Sequence, residues 1–230
     1  METVRAQAKE MFPTIYLTLM SIIQALALEA LWSAVNERSH LWSWNVDVLT
    51  GWLQVCAVAE LIFFLWMASV HVIIRFRWVV SLRDSLNPFV IGIGEFWLTA
   101  LIQPHTVHLW FYLLAAGFAF GVWVNWSTVR AAEREPENMP YFRLFAPRAR
   151  HYNRPLAGVI LVSLFAGVVI QWFARSGWVA VGFTALMNVI MIGLIFYNAL
   201  GWERAVKSQP TEEIKPVEPL PRRVAGGRRR

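Results

Sequence analysis

Asp84-Ser-Leu-Asn-Pro-Phe-Val-Ile-Gly-Ile-Gly-Glu-Phe-Trp-Leu-Thr-Ala-Leu-Ile102 is an apolar run of membrane-spanning length with one carboxylate, Glu95, in its middle. A charged side chain near the bilayer centre costs on the order of a few kcal/mol, so it normally faces a bundle interior or a watery cavity. Two other apolar runs carry acids as well, Glu29 and Glu60. A chain that repeats so costly a feature is read first as an integral membrane protein and second for what the acids do.

Composition agrees. Hydrophobic residues make up 57% of the 230 residues and charged residues 16%, whereas ordinary soluble domains are about a quarter charged. One helical bundle uses most of such a chain and leaves no room for a second folded domain. The single cysteine, Cys56, lies in an apolar run, so no intrachain disulfide can form and the redox compartment is not readable. A net charge of +6 would suggest nucleic acid in a soluble protein, but here the basic residues lie outside the apolar runs, where topology explains them. The amino end does not read as a secretory signal, because its apolar stretch is too long and is interrupted by Gln24 and Glu29.

A span needs about 20 residues at 1.5 Å rise each. Six windows qualify or nearly qualify: 12–35, 50–74, 86–102, 107–129, 156–174 and 178–200. The third is short and has Pro88 near its start. With Asn87 as cap, Pro88 suits a first helical turn; otherwise helix three starts earlier and takes in Arg83 and Asp84, or it is broken.

Of the 21 Lys and Arg residues, only Arg38 and Arg175 fall in the first, third or fifth loop. The rest lie in the amino end, the even loops and the tail, which puts both termini in the cytoplasm. The expected fold is therefore all-α, a membrane domain of six transmembrane helices over 1–202 in a cell inner or plasma membrane. It is followed by a disordered, basic, proline-containing tail over 203–230. Trp32, Trp42, Trp44, Trp52, Trp110 and Trp178 fall near the outer boundary and Trp78, Trp126 and Trp202 near the inner one, as interfacial indoles do. Residues 36–48 are expected to lie on the outer interface. The cytoplasmic loop 130–154 interleaves aromatic and arginine residues, which suits anionic headgroups. Gly117-x-x-x-Gly121 and Ser163-x-x-x-Gly167 have the spacing that lets helix backbones approach.

On helix one, Thr14, Thr18, Ser21 and Glu29 fall within about 80° of one another, with Gln24 to one side. The three acids could meet in the middle-to-outer part of the bundle if their helices face each other. No Lys or Arg lies deep in any window to pair with them. Either the carboxyls stay protonated and bond to groups such as Gln24, Gln54 or Asn188, or they hold a cation or exchangeable protons. Thr18, Ser21, Gln24, Glu29, Glu60 and Glu95 are thus candidates for an ion or proton path. His71, Arg83, Asp84 and Asn87 form a candidate polar cluster on the inner side.

Familiar enzyme chemistry is absent. There is no His-Glu-x-x-His, no Gly-x-Ser-x-Gly and no phosphate-binding glycine loop. Two membrane-haem histidines would have to share one depth, and His105 and His108, at the outer boundary, are not level with His71 toward the cytoplasm, so neither can easily partner it. No catalytic residue, metal or cofactor is assigned. The reading that follows is a proton or small-cation channel or transporter. The alternatives are a non-catalytic subunit or scaffold binding partner helices and anionic lipids, and then a lipid-modifying enzyme. The expected partners are the bilayer, anionic lipid at the cytoplasmic face, and a second copy or a partner membrane subunit, with no nucleic acid.

Overall fold

A computed structural model describes residues 2–76, 78, 82–139, 142, 153–173 and 177–207. Among these, all regular structure is helical: α1 (Glu2–Glu37), α2 (Val46–Arg75), α3 (Leu82–Ala100), α4 (Val107–Glu133), α5 (Arg154–Phe173) and α6 (Gly177–Lys207). Short 3-10 turns occupy Ser39–Trp42, Pro104–Thr106 and Pro136–Asn138. In hydrocarbon no water is available to backbone N–H and C=O groups, so a single segment satisfies them only as a helix. Five of the helices are long and apolar enough to cross a membrane. The 19-residue α3, which contains Arg83, Asp84 and Glu95, is not among the five.

The helices run alternately up and down. Arg38, just past α1, bonds the carbonyls of Ala100, the last residue of α3, and of Ile102, just past it, so those two carboxyl ends lie together. Lys9 of α1 pairs with Glu135, just past α4, at 2.7 Å, which puts the start of α1 beside the end of α4. His71 of α2 bonds Asn198 of α6 at 2.8 Å near both carboxyl ends. Gly177, opening α6, lies against Val46, opening α2.

Helix α4 packs closely along α5, and α2 along α6, while α1 lies against both α2 and α3. A Cβ on Gly167 would fall 2.5 Å from the Tyr112 ring, so this glycine makes the room in which α5 accepts α4. The Tyr112 hydroxyl donates to the Gln171 side-chain oxygen at 2.7 Å across the same contact. The motif in α4 behaves otherwise. Nothing stands within 4 Å of where a Cβ on Gly117 or Gly121 would be, so the expected close backbone approach there is corrected.

Helix α3 starts before Asp84 and runs unbroken through Pro88. The cap expected at Asn87 is therefore not formed, and Asn87 is an interior helical residue. Proline has no N–H to offer the carbonyl four residues back, and the helix nevertheless continues across it.

Two further expectations change. Trp110 is wholly buried in the main core rather than interfacial. Helix α6 continues through Lys207, past the expected start of the tail at 203, and residues 208–230 lie outside the described ones. Most of the aromatic and arginine loop 140–152 also lies outside them. The loop between α1 and α2 folds onto α2: Leu41 is buried against Gly51, and the Trp52 indole donates to the Leu41 carbonyl at 3.0 Å.

Candidate functional site

Helix α3 leans mainly on α1 and only lightly on α2 and α4. The room left between α2, α3 and α4 is a cavity of about 370 Å³, to which α1 contributes Tyr16 and α5 contributes Leu156. Its walls are mostly apolar and aromatic, including Phe64, Trp97, Phe118 and Phe120. Gly94, Gly117 and Gly121 line it, and none has an atom within 4 Å of its would-be Cβ, so these glycines widen it. Val90, Ile93 and Trp97 line it and yet are exposed. It therefore opens sideways, along the edge of α3.

Polar groups gather at the end nearest the start of α3. Tyr16, Ser69, Asp84, Asn87, Asn125 and Thr128 all line the cavity, and the Tyr16 hydroxyl neighbours both Ser69 and Asp84. Asn125 donates to the Asn153 side-chain oxygen at 2.7 Å, which fixes the start of α5 beside this rim.

Deeper in stands Glu95, 1% exposed. It lies 11 positions after Asp84 on one continuous helix, about 16 Å along the axis. Neither of its oxygens has a hydrogen-bond partner of ordinary length and angle. The Gln24 amide is the polar neighbour that acts on it, although the two are not joined at normal hydrogen-bond geometry. Gln24 is itself buried and without such a partner. Unserved polar groups buried this deeply are costly and call for a ligand, a water or a proton.

The other candidates do not share this site. Glu29, Thr18 and Ser21 are exposed on the outer face of α1, where the indole of Trp66 donates to Ser21 at 3.4 Å. Glu60 is half-buried on α2 and is not part of the cavity wall. The three acids thus do not meet, and only Glu95 with Gln24 remains of the expected path through helices one to three. The inner cluster divides too. Asp84 and Asn87 face the cavity, while His71 bonds Asn198 and stacks on Trp202 at 4.7 Å, turned toward α6. The side chain of Arg83 lies outside the described ones.

Sequence reasoning missed Tyr16, Ser69, Asn125 and Thr128, which come from three helices and have no common spacing. Gln24, by contrast, was among the candidates, and it falls on the buried face along which Met20, Ile23, Ala27, Leu31 and Ala34 recur every three or four residues. Among the described residues, no group of three or more His, Cys, Asp or Glu side chains is placed to hold a metal ion.

Among the described residues, a helical bundle with several helices long and apolar enough to cross a membrane and an acid-bearing cavity open at its side is the class that fold and site define. The chain matches no family model, no curated protein and no solved structure.

Proposed function

We propose that this is a membrane transporter in which Glu95 exchanges a proton or a small cation with the polar inner end of the cavity. One observation carries the reading: a fully buried carboxyl without a normal hydrogen-bond partner faces a cavity whose far end is lined by Asp84, Asn87, Tyr16 and Ser69. A group in that position is poised to change protonation or to hold a positive charge. The topology proposed with it has six spans and both termini in the cytoplasm. The Lys and Arg distribution and the alternating helix directions support this, with α3 crossing beside α1 despite its lower apolarity. The basic segment 208–230 is proposed to meet anionic lipid on the same side.

Purified chain in liposomes tests the function. We expect a proton or alkali-cation flux that Glu95→Gln abolishes, since the amide keeps volume and hydrogen bonding but cannot ionise. No flux in the parent, or equal flux in Glu95→Gln, removes the transport reading.

A second reading, a subunit that binds a partner helix, is favoured by the exposed Glu29, Thr18 and Ser21 on α1. Polar groups on a membrane helix usually turn to protein. The lipid-modifying alternative rests on Asp84 and its hydroxyl neighbours at the inner rim. It is weakened because His71, the histidine expected in this cluster, bonds Asn198 and is not part of the cavity wall.

A further inference from the structure

We propose that the cargo of this cavity is a lipophilic organic cation, with Glu95 as its counter-charge. The inference names the substrate class of the site proposed above and rests on that site being functional.

Four observations favour it. First, the cavity falls in the range of sites that hold drug-sized molecules, about 300–1,000 Å³, with about 370 Å³ of room. Second, its walls are largely apolar, which is poor coordination for a bare metal ion: hard cations want about six or more oxygens, and the deep part of the cavity has the Glu95 carboxyl with Gln24 beside it. Third, the lining contains two acids, Glu95 and Asp84, and no Lys, Arg or His among the described residues. A buried carboxylate is stabilised by a cation held beside it, and aromatic faces such as those of Phe64, Phe118 and Trp97 attract cations as well. Fourth, the cavity opens along α3 at Val90, Ile93 and Trp97, on the apolar surface that lipid covers in the proposed topology. A molecule that partitions into the bilayer can enter there without crossing water.

An anionic amphiphile would set a second negative charge against the buried Glu95 carboxyl. A neutral lipid would leave Glu95 unserved. The lipophilic cation satisfies the carboxyl and the walls together.

The probe is tetraphenylphosphonium, with tetraphenylborate as a control of equal shape and opposite charge. Binding to the purified full chain in detergent is measured by equilibrium dialysis. We expect saturable binding of the cation only, weakened about tenfold or more by Glu95→Gln, the loss that follows when a buried charge loses its counter-charge. Gly117→Leu places a side chain into open cavity space and is expected to weaken binding similarly, which guards against a Glu95 variant that misfolds. Equal binding of both ions, or cation binding indifferent to both substitutions, overturns the inference. Glu95-dependent proton flux without saturable cation binding also overturns it, while leaving the transport reading in place. Glu95-dependent cation binding without any flux does the reverse: the cation site stands and the transport reading falls.

Discussion

The Arg38 guanidinium donates to the backbone carbonyl of Ala100 at 3.1 Å, and through its other terminal nitrogen to that of Ile102. The last carbonyls of a helix have no partner within it, and they carry the negative end of its dipole. A planar guanidinium serves the carbonyl of Ala100 together with that of Ile102, just past the helix. One side chain thereby joins the carboxyl ends of α1 and α3.

Removing this clamp should be costly. We expect Arg38→Met to lower unfolding stability by about 1.5–3 kcal/mol, the usual worth of hydrogen bonds to a charged group. Arg38→Lys should recover only part of it, because an ammonium lacks the fork. Thermal unfolding in detergent reads both; an unchanged midpoint in Arg38→Met would sink the clamp.

Two glycines of similar spacing should respond in opposite ways. Gly167→Leu drives a side chain into the Tyr112 ring and should cost about 1–3 kcal/mol by overpacking. Gly117→Ala meets nothing within 4 Å and should be neutral or stabilising by up to about 1 kcal/mol from helix propensity. The same unfolding assay decides, and equal effects would contradict the assigned packing.

The contrast marks how far the sequence could be read. Apolar windows and charge bias located helices because burial in hydrocarbon acts through composition, which a single chain displays. Which face of each helix meets which neighbour is set by packing between segments far apart in sequence. So Gly117 and Gly167 look alike on paper, and the stripe of Thr18, Ser21 and Glu29 looks as inward as Gln24. Glu95 was legible from the cost of its position alone. Its cavity was not, since Tyr16, Ser69, Asn125 and Thr128 belong to it only through the fold. Asn87 was misread because Pro88 signals a helix start locally, whereas α3 tolerates proline in its second turn.

Acid should loosen the outer loop. His40 lies between α1 and α2, and its pKa is lowered first by burial, then by Arg38 and His105, against an opposing effect of Asp47. A base with a depressed folded pKa contributes stability above its unfolded value, about 6.5, and loses it as pH falls through the lower folded value. We expect unfolding midpoints to drop between neutral pH and pH of about 5, and His40→Gln to flatten that slope. An identical slope in the variant would show that other groups set it.

Side-specific labelling tests the topology. In a Cys56→Ser background, Trp44→Cys, at a fully exposed position between α1 and α2, should react with an impermeant thiol reagent in sealed cells. A cysteine introduced in the 208–230 segment should react only after lysis. External labelling of the latter would refute the proposed orientation.

The bond from the Asn188 amide to the Leu53 carbonyl spans 135 positions, and that between His71 and Asn198 spans 127. At translation rates of about 5–20 residues per second, roughly 6–27 s separate synthesis of the two partners. Until α6 emerges, the face of α2 that carries the Leu53 carbonyl and His71 has no mate. The bundle therefore closes only with its last helix: a chain that stops short of α6 lacks the partners of the Leu53 carbonyl and of His71 however well α1 to α5 have formed.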